Sequence, residues 1–256
     1  MTTKLTIEYD GTDFSGWALQ PGARTVQGEL EPALAVVLRR PVALTVAGRT
    51  DAGVHAWGQV ASHDGEPALV GGLNALLPPD VTVTASEGAA DGFDARRDCT
   101  SRAYCYRVLA RPARAALDRG HVLHWNYALD LQTLHACAAL LAGTHDFTAF
   151  TPTETYHVRF EREVYAAHWR ACEGDLFEFW IEADTFMRHM NRTLVGTMLA
   201  VARGRLTVAA FARLLEGAPR ADAGPTAPAH GLYFAGAGYS GERLLSPRDS
   251  ARPSSA

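Results

Sequence analysis

Lysine is almost missing from this chain of 256 residues: Lys4 is the only one, and every other Lys-or-Arg position is arginine. With the abundant alanine, this fits the codon bias of a GC-rich genome and carries no functional weight. Cysteine is sparse too. Cys99, Cys105, Cys137 and Cys172 show no CxxC spacing, so neither a zinc site nor a disulfide framework is expected in a chain this long. No apolar run reaches the roughly 20 residues that a bilayer span needs, and the N-terminus lacks a signal peptide's basic start and apolar centre. The expectation is a cytoplasmic protein that does not enter a membrane. No GxxxxGK[ST] segment is present, and no dinucleotide-binding segment is expected.

What is present is an ordinary globular composition, 47% hydrophobic and 20% charged, with length for one large domain or two small ones. The formal net charge of −4 looks unsuited to a polyanion, because phosphate contacts need cations. Its distribution changes that reading. Between Arg96 and Arg119 stand seven arginines against Asp98 and Asp118, and between Thr185 and Leu215 stand five arginines and no acid. A chain acidic overall but basic in two blocks is able to present a positive cleft.

Hydrophobic patterning lays out the elements. Leu5, Ile7 and Tyr9 alternate with polar residues as in a half-buried strand. Thr25 is placed to cap a helix with the stripe Leu30, Leu34, Val37 and Leu38, although Pro32 implies a kink or a start near Glu31. Val42–Val46 and Val81–Ala85 read as strands and Leu69–Leu77 as a short helix. In the next strand Tyr104, Tyr106 and Val108 share a face. Periodicity lapses from Arg111 to Gly120, which suits a domain crossover. Leu131–Leu141 reads as a helix, and Val164–Trp169 with Leu176–Ile181 as a hairpin. Phe186, Met190, Leu194, Met198 and Ala202 predict one long amphipathic helix. Thr207 starts a last helix that Gly217 ends. The mixture lacks strict β-α-β alternation, so the fold class is α+β with mixed or antiparallel sheets.

One stretch stands apart: Gly48-Arg49-Thr50-Asp51-Ala52-Gly53-Val54-His55-Ala56. It places one carboxylate at the apex of a turn, between glycines that permit unusual backbone angles and small neighbours that admit a bulky substrate. An isolated Asp in this setting merely caps a turn. This one is not isolated. Glu8-Tyr9-Asp10-Gly11-Thr12-Asp13-Phe14-Ser15-Gly16-Trp17, Asn74-Ala75-Leu76-Leu77-Pro78, Arg102-Ala103-Tyr104-Cys105-Tyr106, Gly143-Thr144-His145-Asp146-Phe147 and Phe186-Met187-Arg188-His189-Met190 follow in order, closing with Gly231-Leu232-Tyr233. In this order the segments resemble the TruA family of tRNA pseudouridine synthases over nearly the whole chain.

That resemblance implies two similar subdomains flanking a central basic cleft, the pseudouridine synthase fold. The expected division is residues 1–109 with the nucleophile, 110–245 completing the site, and a disordered tail at 246–256. The family acts on tRNA as a homodimer, on uridines of the anticodon stem-loop around positions 38 to 40, without cofactor or metal. Asp51 matches the nucleophile. Arg192 matches the cation that pairs with it, in Arg192-Thr193-Leu194-Val195-Gly196 where the family commonly reads Arg-Asn-Ile-Val-Gly. Tyr104 matches the aromatic that stacks on the target base. Arg49, Arg102 and Arg188 are expected to touch the RNA, with Arg188 and Arg192 on one helix face. His55 and His63 fit no common zinc spacing and are expected to be structural. A non-catalytic RNA-binding or tRNA-folding protein on the same scaffold is the alternative. A carboxylate glycoside hydrolase would need a second acid paired with Asp51.

Overall fold

The computed structural model describes residues 1–155 and 158–245; the expected tail at 246–256 lies outside them. In chain order the regular elements are β1 (Thr2–Tyr9), α1 (Val26–Leu38), β2 (Thr45–Val46), β3 (His55–Asp64), α2 (Val70–Asn74), β4 (Val81–Ala89), β5 (Cys99–Ala110), β6 (Leu123–Trp125), α3 (Leu131–Ala139), β7 (Gly143–Asp146), β8 (Glu161–Ala171), β9 (Leu176–Ala183), α4 (Met190–Ala202), α5 (Val208–Leu214) and β10 (Leu232–Tyr239). The architecture is α+β, with a mixed sheet and few helices, as the patterning predicts.

The chain forms two compact units. The first is Met1–Arg102 with Tyr233–Glu242; the second is, among the described residues, 103–232 with Arg243–Leu245. The expected boundary after residue 109 lies near the C-terminal end of β5, and compactness divides the chain within that strand, after Arg102. The return of β10 to the first unit has no signal in local sequence, since strand pairing between distant segments is decided by tertiary contacts.

In the first unit β1 pairs antiparallel with both β3 and β4, and β10 adds to β3 in parallel through Tyr233↔His55 and Phe234↔Ala56. Leu5 and Ile7 are fully buried while Glu8 is exposed, the alternation of a strand with one covered face. Helix α1 starts where the capping residue predicts: the Thr25 hydroxyl accepts the Gly28 amide at 3.2 Å. It runs through Pro32, whose ring is exposed, so the expected start near Glu31 is replaced by one at Val26. The strand expected over Val42–Val46 shrinks to Thr45–Val46, because only these residues find a ladder partner on β3.

In the second unit β5, β9, β8 and β7 lie side by side. The expected hairpin is β8–β9, paired from Val164↔Ala183 to Ala171↔Phe177. Its turn sets Gly174 and Asp175 at φ 66° and 63°, the mirror-image turn that suits strand twist. Helices α3, α4 and α5 pack on one another, over a core holding Phe147, Phe150, Trp169, Phe179, Met198 and Phe211. Thr207 caps α5 through the Ala210 amide at 3.0 Å. Past Glu242 the chain is tied down: the buried Glu182 carboxylate accepts the amides of Leu244 and Leu245 at 2.8–3.0 Å.

Two expectations need correction. Helix α4 begins at Met190, not near Phe186, because His189 sits in the left-handed region at φ 62°. The four-residue apolar spacing continues across this break and conceals it. The letters GxGxxG also do occur, as Gly236-Ala237-Gly238-Tyr239-Ser240-Gly241. They span the end of β10 and a turn at Ser240 and Gly241 (φ 53° and 84°), with no helix after them among the described residues. The phosphate-binding use of that string needs a helix N-terminus.

Candidate active site

The first unit carries the turn with Asp51. Two loops, residues 10–17 and 48–55, lie backbone to backbone. The Trp17 amide donates to Thr50 O at 3.1 Å and the Gly53 amide to Phe14 O at 3.3 Å. The Gly11 amide donates to His55 Nδ1 at 3.0 Å. That bond requires an unprotonated Nδ1, so the Asp10 carboxylate 3.1 Å from the same nitrogen is a close neighbour rather than a hydrogen-bonded partner in this tautomer. Two glycines permit the approach. A Cβ at Gly11 would stand 2.0 Å from Val54 O, and one at Gly16 2.7 Å from Thr50 O. No side chain fits at either position without moving the turn.

Beneath the turn lies a buried polar chain. The Tyr9 hydroxyl and Thr50 Oγ1 are 2.7 Å apart, and Gln59 Nε2 donates to the Tyr9 hydroxyl and to Gly48 O. Burial pushes the Tyr9 phenol up to about 12, with Thr50 and Gln59 pulling the other way. Asp51 is half-buried at the apex, and Val54 closes the turn by donating to Asp51 O at 3.2 Å. Arg49 is exposed and has no ionic or hydrogen-bonded partner among the described residues. Arg102, expected to touch the RNA, is buried: its guanidinium donates to the carbonyls of Ala47, Cys99 and Arg96 at 3.0–3.1 Å. It braces the strand leading into the turn.

The second unit carries Tyr104, Arg188 and Arg192. Tyr104 is buried and meets Phe186 edge to face, with centroids 5.0 Å apart, which brings two of the recognised segments together. Tyr106 is core, with its hydroxyl donating to Pro228 O at 2.8 Å. A Cβ on Gly231 would stand 2.7 Å from the Tyr106 ring, which accounts for that glycine. Arg192 is held at the first turn of α4: its Nε donates to Ala227 O at 2.8 Å, and its carbonyl accepts the Ala227 amide at 3.0 Å. The segment 224–227 lies against the same helix. A Cβ at Gly196 would stand 1.8 Å from Pro225 O, one at Gly224 2.7 Å from Thr197 Cα. Thr193, which stands where the family commonly has asparagine, meets Thr226 Oγ1 at 3.2 Å. Arg188 is exposed and lies before the helix, so it does not share a helix face with Arg192.

Comparison with known proteins concerns the chain as a whole. A family model described as tRNA pseudouridine synthase matches residues 137–240. A tRNA pseudouridine synthase A from Myxococcus xanthus is 41% identical over 238 residues, covering 90% of this chain and 89% of that protein. Proteins of the same name from Corynebacterium glutamicum and Chromobacterium violaceum are 41% and 40% identical, covering 97% of this chain and 92% and 97% of their own lengths. The chain belongs to the tRNA pseudouridine synthase family. Gln59 and Ala227, which hold Tyr9 with Gly48 and Arg192 in place, lie outside every string quoted from the sequence. His55 accepts the Gly11 amide and stacks on the Tyr233 ring with centroids 4.7 Å apart. His63 bonds its neighbour's carbonyl at 2.8 Å, and burial holds it below the ordinary imidazole range.

Proposed function

We propose that this chain isomerises uridine to pseudouridine in tRNA, at anticodon stem-loop positions around 38 to 40, with Asp51 as the nucleophile. The observation that carries the proposal is a carboxylate on a turn clamped by a second loop through two glycines. Such a clamp fixes the attacking group before substrate arrives, and orientation of that kind accounts for much of enzymatic rate. The reaction breaks N1–C1′, turns the base over and joins C5 to C1′, and the C5 proton leaves to water as N1 gains one. Reactant and product are isomers, so the chemistry calls for no redox partner. An ionised carboxylate suits a reversible covalent adduct.

Arg192 supplies the cation that keeps the nucleophile ionised, and Tyr104 stacks on the displaced base, which recovers part of the unstacking cost, about 1–3 kcal/mol per base. Arg49, beside the nucleophile and unpartnered among the described residues, contacts the RNA backbone; Arg188 contributes from outside the helix. A homodimer in the cytoplasm belongs to the same proposal, and light scattering on the purified chain tests the dimer.

The deciding assay is tritium release from C5-labelled uridine in unmodified tRNA, with product mapped by position. Release together with pseudouridine at 38 to 40 is the expected result. Bound tRNA with no release would leave the non-catalytic RNA-binding reading.

A further inference from the structure

The loop at residues 10–17, which clamps the Asp51 turn, is itself held from outside, and the hold converges on Arg24. Its guanidinium meets Asp80 with both terminal nitrogens, Nη1 to Oδ2 at 2.7 Å and Nη2 to Oδ1 at 2.8 Å. Its Nε donates to Glu29 Oε1 in the first turn of α1 at 2.9 Å. The same planar group lies over the Phe14 ring, 4.1 Å from the centroid. Behind it, the Arg24 carbonyl accepts the Ser15 amide at 2.8 Å. Asp80 grips the loop a second time, because its carbonyl accepts the Asp10 amide at 3.0 Å. All of these residues belong to the first unit.

The outer and inner contacts meet at Phe14. Its buried ring carries Arg24, and its carbonyl accepts the Gly53 amide two residues beyond Asp51. Trp17 repeats the pattern: its carbonyl accepts the Gln27 amide of α1 at 3.0 Å while its own amide holds Thr50 O. A shift of this loop away from α1 is therefore passed to the turn. Exposed ion pairs contribute little to stability as a rule. Here three nitrogens of one rigid fork are committed to two carboxylates, and its flat face to a ring. A lysine would bring the charge without the fork or the face. Such an arrangement fixes a position more than it adds stability.

We propose that Arg24 is a positioning residue for the reaction, holding the loop at 10–17 through Phe14 and so setting the Asp51 turn. The inference rests on the synthase reading and adds to it a residue that acts through the loop rather than on the substrate.

The test compares the full chain with its R24K and D80N variants by tritium release, tRNA affinity and amide hydrogen exchange. R24K is expected to slow release about 10- to 100-fold, the scale of a misplacement near 1 Å, with tRNA affinity and its salt dependence unchanged. D80N, which removes the charge that orients the fork, should slow release too. The double variant should lose less than the product of the two single losses, because both break one contact. An Arg24 that binds phosphate gives another pattern: R24K weakens tRNA binding and D80N strengthens it, and that result would overturn the proposal. A merely structural arginine lowers the melting temperature and leaves the folded enzyme's rate alone. Wild-type release by R24K at a temperature where both chains are folded would overturn it as well. Exchange reads the clamp without catalysis. In R24K the Gly53 and Trp17 amides should exchange about 10-fold faster, while the amides of the β1–β3 ladder keep their rates. Unchanged exchange at Gly53 would overturn the brace whatever the rates of release. Product formation by the wild-type chain keeps the two proposals apart. If product forms while R24K reacts and exchanges like wild type, only the positioning role fails; if no product forms, the synthase reading fails, and exchange alone decides whether Arg24 holds the turn.

Discussion

The turn that carries Asp51 and the helix end that carries Arg192 are held by the same device, yet only in the first do both packed segments carry a recognisable string. In both, glycine lets one backbone lie against another where a Cβ would collide: Gly11 and Gly16 against the Asp51 turn, Gly196 and Gly224 against each other's segments. The first pair sits inside one conspicuous string, residues 8–17, and packs against another, residues 48–56. The second joins a helix to a plain stretch, residues 224–227, with no signature of its own. A motif therefore marks the group that does chemistry more clearly than the contacts that hold it still.

Arg192→Ala is expected to have the largest effect, slowing tritium release about 100- to 1,000-fold, as loss of a charge-stabilising group in a closed site does, with tRNA affinity within a few fold. Equal losses in rate and affinity would make Arg192 a phosphate contact instead. Gly11→Ala and Gly196→Ala come next. Each should cost about 100-fold in rate, the scale of a misplacement near 1 Å, and about 2–4 kcal/mol in thermal stability. A Gly196→Ala protein with full activity would show that α4 tolerates displacement and the turn does not.

The smallest effects sharpen the account of the turn. Tyr9→Phe leaves Thr50 and Gln59 without the phenol oxygen and is expected to cost about 1–2 kcal/mol, read from urea melts. The phenol, pushed up to about 12 by burial, also sets a sign for alkaline stability. Below pH 10 it is protonated in folded and unfolded chains alike, so its contribution is constant. Between pH 10 and 12 the unfolded chain loses the proton first, and stability falls with rising pH by up to about 1.4 kcal/mol per pH unit from this group. Tyr9→Phe should remove that part of the slope.

Local chemistry was legible and long-range pairing was not. Thr25 and Thr207 announced two helix starts because capping is a contact between residues three apart. The β8–β9 hairpin announced itself through alternation around a glycine turn. The start of α4 did not, since one left-handed residue, His189, interrupts a helix without disturbing its apolar spacing. Arg188 was consequently misplaced onto the helix. Arg102 looked like one more cation for RNA, and only burial reveals that its fork serves the carbonyls of Ala47, Cys99 and Arg96. The Asp51 turn was found because its string and its neighbours carry a family pattern; no local rule separates it from an ordinary capped turn.

The most direct test of the central claim compares wild-type chain with Asp51→Asn in one tritium-release assay, with tRNA binding measured alongside. Release should disappear in the variant while the tRNA still binds, because the amide keeps the turn's shape and removes the nucleophile. Release by Asp51→Asn at a rate near wild type would contradict it and place the chemistry on another group.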